Sequence, residues 1–434
     1  MTYQQTLDYI FAQLPMFSRI GDAAFKKDIT NTVRLCEYLG NPHQKFKSVH
    51  VAGTNGKGST SHMLAAVFQT AGYKTGLYTS PHLKDFRERI RVDGEMITEE
   101  YVIDFIKRLN PLIKEMEPSF FEISVAMAFE YFVHHQVDIA IIEVGLGGRL
   151  DSTNIITPEL SVITNIGWDH ANMLGDTLQK IAGEKAGIIK PGIQVVVGER
   201  HAAISDVFIQ KAQQENAPLY FATDHYFVSE WNYQQQLLIA EVTKTHTDDK
   251  TYYHLDLPGI YQTKNLLTVL EAIYILQQKE WEVRDEHIHT ALRQVKKLTG
   301  LHGRWEKIHE HPAVIIDVAH NEDGFKALAM QLETTTYQHL RIVMGMVKDK
   351  EIDHILTLLP QSATYYFTRA QIPRALPETE LAAKGKAAGL IGLPYPDVNT
   401  ALQFAIDQAD KDDLVLVCGS VFVVGEVNRT QLTH

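Results

Sequence analysis

Lys47-Ser-Val-His-Val-Ala52, followed without a break by Gly53-Thr-Asn-Gly-Lys-Gly-Ser59, decides the fold of this 434-residue chain. The first run is apolar enough to be a short buried strand. The second is a glycine-rich loop whose consecutive N–H groups can curl around a phosphate, and it feeds a helix beginning near Ser59 whose N-terminal dipole favours an anion. A second strand is expected at Thr75–Tyr78. Together these make a β-loop-α-β unit, the mark of a parallel sheet with crossover helices. The loop departs from G-x-x-x-x-G-K-[ST], because Val51 stands at the first glycine and Gly58 at the hydroxyl residue. Lys57 would bring positive charge to the phosphates, and Ser59 or Thr60 a hydroxyl near bound magnesium. The plainer alternative is a glycine-rich turn with a solvated lysine.

Outward from this unit, further strands are expected at Asp138–Val144, Leu160–Thr164 and Gln194–Val197. Amphipathic helices are expected near 3–13 and 24–39. Residues 219–257 alternate apolar and polar, as in TYYHLDL, and predict a small antiparallel excursion. Helices at Gln262–Gln278 and 285–297 close the first body. After Gly300-Leu-His-Gly303 the βα rhythm restarts, with strands expected at Val314–Asp317, Arg341–Met344, Ala363–Phe367 and Leu414–Cys418. The fold expected is α/β: a P-loop-containing, doubly wound parallel-sheet domain over 1–298, then a smaller Rossmann-like α/β domain over 299–434. Ligand sites are expected at the carboxyl ends of the strands and between the domains.

Composition narrows the function classes. The hydrophobic fraction of 45% and charged fraction of 22% are those of a soluble globular protein. No apolar run approaches the roughly 20 residues that span a bilayer, and the N-terminus lacks a secretory pattern. Cys36 and Cys418 are the only cysteines, so neither a disulfide framework nor a thiolate metal site is expected, as suits a reducing cytosol. The net charge of −12 argues against nucleic acid or anionic lipid as a partner but leaves room for a small anionic substrate.

Several polar residues sit where strands end. Ser80 and Pro81 follow the second strand as a turn, with Glu88-Arg-Ile90 close behind. Glu143 ends a strand next to Gly145, where a carboxylate is costly unless paired, capping or metal-bound. His170 in Trp168-Asp-His170 also follows a strand. Lys185 falls on a helix that Gly187 ends, as a solvated lysine on the plain reading. Gln262 and Asn265 could cap the helix they begin, and Asn321 could cap another.

GTNGKGS resembles the loop of the ATP-dependent ligases that include the Mur ligases and folylpolyglutamate synthase, and its Asn-Gly-Lys-Gly version is similar to the folate branch. Ser80-Pro-His-Leu83, Glu88-Arg-Ile90, Glu143-Val-Gly-Leu-Gly-Gly-Arg-Leu-Asp-Ser-Thr-Asn154, Asp169-His170, Glu184-Lys185, Gly303-Arg304, Asp317-Val-Ala-His-Asn321, Lys348-Asp-Lys350, Pro373-Arg-Ala-Leu-Pro377 and Gly419-Ser-Val-Phe422 resemble family segments, in family order, over nearly the whole chain. His302 stands where the family has proline, and Val318 where it has glycine.

The resemblance implies ATP as cosubstrate, bound by Gly53, Thr54, Asn55, Gly56, Lys57, Gly58, Ser59, Thr60, Gln262, Asn265, Arg304 and Asp317. It implies two magnesium ions, with Ser80, Glu143, His170 and Lys185 as ligands, Lys185 being carbamylated. Pro81, His82, Arg89, Asp151, Thr153 and Asn154 would contact the substrate, while Lys57, Lys185, Arg304 and His320 serve catalysis. The implied reaction joins L-glutamate to a folate, or to dihydropteroate, through an acyl phosphate, in a cytoplasmic monomer. The rivals are a Mur-type cell-wall ligase, disfavoured because only about 46 residues precede the first strand, and a non-catalytic nucleotide-regulated binding protein.

Overall fold

The computed structural model describes residues 1–14, 28–348 and 351–432. The chain divides into two compact units. One comprises Met1–Ile166, Ala171–Asp256 and Gln262–Leu301, the other Gly167–His170, Leu257–Tyr261 and His302–His434.

The first unit is built on strands β1 (Lys47–Ala52), β2 (Thr75–Tyr78), β3 (Ile90–Val92), β4 (Glu95–Met96), β5 (Ile139–Glu143), β6 (Leu160–Ile163), β7 (Val195–Val197) and β8 (Leu219–Phe221). Their spatial order is β4-β3-β2-β5-β1-β6-β7-β8. The strands from β2 to β8 in that order run parallel. The β3–β4 hairpin, not anticipated from the sequence, adds two antiparallel strands at one edge. From β1 the chain passes to β2 on one side and later to β6, β7 and β8 on the other. The carboxyl end of β1 is therefore the topological switch point, where open α/β sheets bind ligands.

Ser48 to Ala52 are buried, as a strand covered on both faces requires. The helices Glu99–Met116 and Phe120–His134 bury Phe105, Phe129 and Phe132 in one apolar cluster, and Leu178–Ala186 and Ser205–Gln214 bury Ile181, Ala182 and Phe208. The second of these helices opens with a reciprocal cap. Glu122 N donates to Ser119 Oγ, while Ser119 N donates to Glu122 Oε2 at 2.6 Å.

Four readings need correction here. The helix expected from Ser59 begins at Lys57, because Gly56 at φ +82° is its N-cap. Leu219–Phe221 is not part of the antiparallel excursion. The helix Ser205–Gln214 carries the chain back over the sheet, so β8 joins β7 in parallel. The antiparallel sheet is confined to β9 (Tyr226–Gln234), β10 (Leu237–Lys244) and β11 (Lys250–Leu255). The helix expected over 285–297 is broken into Asp285–Leu292 and Val295–Thr299, where the Asp256 carboxylate captures Lys296 N at 2.9 Å and starts a new helix end. The helix expected near 24–39 is seen as Thr30–Tyr38, and its first residues lie outside the described ones.

The second unit holds β12 (Glu306–His309), β13 (Ala313–Ile316), β14 (Leu340–Met344), β15 (Thr364–Phe367), β16 (Ile391–Pro394) and β17 (Leu414–Cys418), in the order β12-β13-β17-β14-β15-β16. All pairs are parallel except β12–β13. The two outer strands were missed in the sequence because edges need not be apolar. β16 exposes Ile391 and Leu393 and contains Pro394, which only an edge strand tolerates well.

Candidate active site

The glycine loop is shaped by what lies against it. Gly53 has φ +151°, and a Cβ there would lie 1.9 Å from Thr164 Oγ1. A Cβ on Gly56 would lie 2.2 Å from Asn265 Oδ1. Both positions therefore exclude a side chain by close approach as well as by backbone conformation. The end of β6 grips the loop backbone. Thr54 N donates to Asn165 O at 2.9 Å, Asn55 N to Asn165 Oδ1 at 2.8 Å, and Thr164 Oγ1 to Asn55 O at 2.5 Å. Neither Thr164 nor Asn165 was singled out in the sequence, although two polar residues directly after a buried strand next to the switch point are a usable signal.

Behind the loop stands the helix Gln262–Gln277. Gln262, fully buried, donates through Nε2 to Ser59 Oγ at 3.0 Å and accepts from Asn265 Nδ2 at 2.8 Å. These two amides brace the loop and are not simple helix caps. Thr60 Oγ1 is buried without a hydrogen-bond partner among the described residues.

Strand pairing brings the other first-unit groups to the same end of the sheet, because β5 lies between β1 and β2. Glu143, 4% exposed at the end of β5, accepts from Ser80 N at 3.0 Å through Oε2. Lys185 is also 4% exposed, and its Nζ donates to Gly53 O at 2.8 Å. The solvated lysine of the plain reading is thus excluded. Lys57 folds back over the loop, its Nζ 3.1 Å from Gly53 O and 3.2 Å from Thr54 O. Two lysine amines share one carbonyl oxygen.

The segment after β2 is tightly tied. Glu88 accepts three consecutive N–H groups, from Leu83 at 2.7 Å, Lys84 at 3.0 Å and Asp85 at 2.9 Å. Asp85 accepts from the Arg87 guanidinium and from Tyr3 OH at 3.0 Å. Arg89, buried, donates through Nε to His82 Nδ1 at 2.8 Å and stacks on Phe120 at 5.0 Å. Burial, reinforced by Arg89, pushes the His82 imidazole down to about 3, so it is a neutral acceptor. Pro81, ahead of it, is exposed.

Asp151, Thr153 and Asn154 are buried, and all but Asn154 Oδ1 of their side-chain polar atoms are hydrogen-bonded among the described residues. Asp151 accepts from Leu146 N at 2.9 Å, Thr153 N at 2.9 Å and Thr153 Oγ1 at 2.5 Å. Asn154 Nδ2 donates to Arg149 O at 3.1 Å and Gly187 O at 3.0 Å. Together they fasten the glycine turn after Glu143 to the end of the Lys185 helix.

In the second unit, Asp317 is 3% exposed and accepts from Tyr261 OH at 2.6 Å, Trp305 N at 2.7 Å and Ala319 N at 2.9 Å. Burial raises its pKa, against these bonds and the nearby Arg304. His320 Nδ1 lies 2.9 Å from Val318 O, and its Nε2 lies 3.3 Å from Asp169 Oδ2. Asp169 also accepts from Asn321 Nδ2 at 3.2 Å and lies 3.7 Å from His170 Nε2. Asn321 does cap the helix Glu322–Glu333, through Gly324 N at 2.9 Å, while its amide nitrogen reaches Asp169. Both histidines have an expected role from the sequence, whereas Asp169, which joins them, appears there only as part of the Asp169-His170 segment and without a role. Gly419 N donates to Ala319 O at 3.1 Å, and Leu376 N to Met346 O at 2.9 Å, so those family-like segments meet neighbouring strand ends. Asp349 and Lys350 lie outside the described residues.

A glycine loop between strand and helix at the switch point of a parallel sheet, followed by a second, mostly parallel α/β unit, is the arrangement of a nucleotide-dependent α/β protein. Family comparison refines this class. Residues 51–273 match the Mur ligase middle domain, and residues 303–421 match the Mur ligase glutamate ligase domain. The chain is 33% identical over 98% of its length to the dihydrofolate synthase/folylpolyglutamate synthase of Bacillus subtilis, covering 98% of that protein. It is 32% identical over 100% of its length to the folylpolyglutamate synthase of Lacticaseibacillus casei, covering 99% of it. Among solved structures, E. coli FolC in complex with DHPP and ADP superimposes with a TM-score of 0.84 at 28% identity, over 98% of this chain and 96% of that one. A Mycobacterium tuberculosis folylpolyglutamate synthase complexed with ADP does so with a TM-score of 0.87 at 27% identity, over 100% and 98%. The chain belongs to the folylpolyglutamate synthase/dihydrofolate synthase family of Mur ligases.

Proposed function

We infer that the protein is an ATP-dependent ligase that joins L-glutamate to a folate carboxylate. The observation that carries the reading is the Gly53–Ser59 loop, pinned open at the switch point with two lysine amines gathered on it. A carboxylate does not react with an amine at neutral pH until it is activated. Its oxygen attacks the ATP γ-phosphorus, giving an acyl phosphate and ADP. The glutamate amine then attacks the acyl carbon, releasing phosphate. Loop N–H groups beyond Asn55, whose own N–H and that of Thr54 are taken by Asn165, hold the nucleotide phosphates together with Lys57, and Arg304 clamps the group in transfer. Asp317 and His320 serve the ATP and glutamate sides. Gln262 and Asn265 support nucleotide binding from behind the loop.

Glu143 and Ser80, joined through the Ser80 N–H, are the proposed hard-oxygen ligands of a magnesium ion. His170 is the proposed ligand to a second ion. Bound there, magnesium would offset charge on the transferred phosphoryl group. Lys185 is proposed to carry a carbamate, formed when its neutral amine adds carbon dioxide and loses a proton. The convergence of two amines on one carbonyl supports this, since an anion at one of them relieves like-charge repulsion. Pro81, His82 and Arg89 are proposed to face the folate, with Asp151, Thr153 and Asn154 holding the neighbouring turn. Dihydropteroate is proposed as a second acceptor, supported by relatives that carry both activities in their names. We place the activity of residues 1–298 in ATP binding, that of 299–434 in glutamate ligation, and the protein in the cytoplasm as a monomer. Among the described residues no helix is long and apolar enough to cross a membrane.

The test is to offer ATP, glutamate and either dihydropteroate or a reduced folate, and to weigh the products. Acceptor-dependent ADP release with a product heavier by one glutamyl residue is expected. Nucleotide binding without ADP release would leave a nucleotide-regulated binding protein instead.

A further inference from the structure

Arg304 lies between two residues of left-handed backbone, Gly303 at φ +73° and Trp305 at φ +45°. For a side chain as bulky as tryptophan this state is costly, and it persists only where surrounding contacts over-determine it. Two buried carboxylates provide those contacts, one on each side of Arg304. Trp305 N donates to Asp317 Oδ2 at 2.7 Å, and Gly303 N donates to Glu306 Oε2 at 2.7 Å. Asp317 directly follows β13, an inner strand paired on both sides. Glu306 is on edge strand β12 and is held from elsewhere. Arg429, in the turn Arg429–Leu432, forks onto it through Nη1 to Oε1 at 2.7 Å and Nη2 to Oε2 at 3.1 Å. His302, where the family has proline, places Nδ1 2.9 Å from Glu306 Oε1. Burial alone would raise the Glu306 carboxyl, but hydrogen bonds from His302, Arg429 and Gly303 bring it down to about 2. It is therefore a fixed anion at any working pH.

We propose that Arg429 is a positioning residue for ligation: by forking onto Glu306 it fixes the Gly303 N–H and so presents the Arg304 guanidinium in one orientation. A bidentate fork sets direction as well as charge, which a single-point lysine cannot reproduce. In this chain the fork and His302 supply the stiffness that a proline at position 302 would give. The inference rests on the reading of Arg304 as the phosphoryl clamp in ATP-dependent ligation.

The experiment is a kinetic cycle of wild type, Arg304→Ala, Arg429→Met and the double variant, following ADP release, with Tm measured for each. Arg429→Met is expected to lower kcat roughly tenfold with little change in KM for ATP. In the Arg304→Ala background it should lower kcat no further, while the Tm shift is the same in both backgrounds. Arg429→Lys should recover only part of the loss. If Arg429→Met does not fold, the same cycle with Arg429→Lys and Glu306→Gln carries the test. Equal proportional losses in both backgrounds would mean a general structural role and overturn the proposal. So would unchanged kcat in folded Arg429→Met, or an Arg304→Ala protein with full activity. A wild type without any acceptor-dependent ATP turnover would instead remove the functional reading on which it rests.

Discussion

Lys185 Nζ lies 2.8 Å from Gly53 O, an oxygen that Lys57 Nζ also reaches at 3.1 Å. Gly53 has no side chain because Thr164 occupies that space, so its carbonyl is fixed where both amines meet it. Two ammonium groups in a buried setting repel, and the arrangement favours an anion at or between them. If Lys185 carries a carbamate, stripping carbon dioxide and bicarbonate should lower activity reversibly. Lys185→Ala should lose at least about a hundredfold in kcat, with partial recovery on adding a short carboxylic acid. Near-normal turnover by folded Lys185→Ala would end the carbamate proposal and leave the ligase reading standing.

Lys57 tests the loop itself. Its amine is half-buried and bonds only to loop carbonyls in this structure, so removing it costs the fold little. Lys57→Ala should keep its Tm within a few degrees while ADP release falls about a hundredfold to a thousandfold, the scale of one lost charge-stabilising group. Turnover close to wild type would take this loop out of the mechanism.

Gly56 makes a purely steric prediction. With φ +82° and a Cβ that would meet Asn265 Oδ1 at 2.2 Å, Gly56→Ala must displace either the loop or the amide that braces it. A stability loss of about 1–3 kcal/mol is expected, with weakened nucleotide affinity by calorimetry. Asn265→Ala combined with Gly56→Ala should recover part of the stability, because the clash is gone while the strained φ remains. No recovery in the double variant would show that backbone conformation alone sets the cost.

His50 gives a pH dependence with a defined sign. It is fully buried on β1, and burial, aided by the Lys190 charge, lowers its pKa from 6.5 to about 3. Because Thr153 Oγ1 donates to Asp151, His50 Nε2 must donate to Thr153 Oγ1 at 2.8 Å as a neutral ring. The unfolded chain binds a proton near pH 6.5 that the folded chain refuses until about pH 3. The contribution is therefore complete above pH 6.5 and is lost as pH falls through that window, at up to about 1.4 kcal/mol per unit. Chemical denaturation of His50→Gln between pH 7 and 4 should show a flatter slope than wild type. Identical slopes would mean that another group titrates there.

The sequence by itself determined the parallel sheet, its glycine loop and the order of the motifs. Each of these is written in contiguous residues: an apolar run long enough to be a buried strand, glycines where the chain must turn, and polar residues directly after strands. Where the signal was short or lay at an edge, reading failed. Leu219–Phe221 is too brief to reveal its partner, and β12 and β16 are four-residue edge strands, the first mostly polar and the second interrupted by Gly392 and Pro394.

Only the tertiary structure could decide which groups act on which. Asn165 lies 110 residues from the Asn55 N–H it accepts, Asp169 lies 151 from His320, and Arg429 lies 123 from Glu306. A position just after a buried strand can mark Asn165 as worth attention, but nothing local in the chain says which distant group any of these residues meets. Lys185 is the sharpest case. On residue type alone it is a solvated lysine on a helix that Gly187 ends, and the family resemblance makes it a metal ligand, yet neither reading places the buried amine on Gly53 O, 132 residues away. Burial and hydrogen bonding depend on where crossover connections lay helices over a sheet, and that is a property of packing between distant segments, which no single stretch of sequence contains.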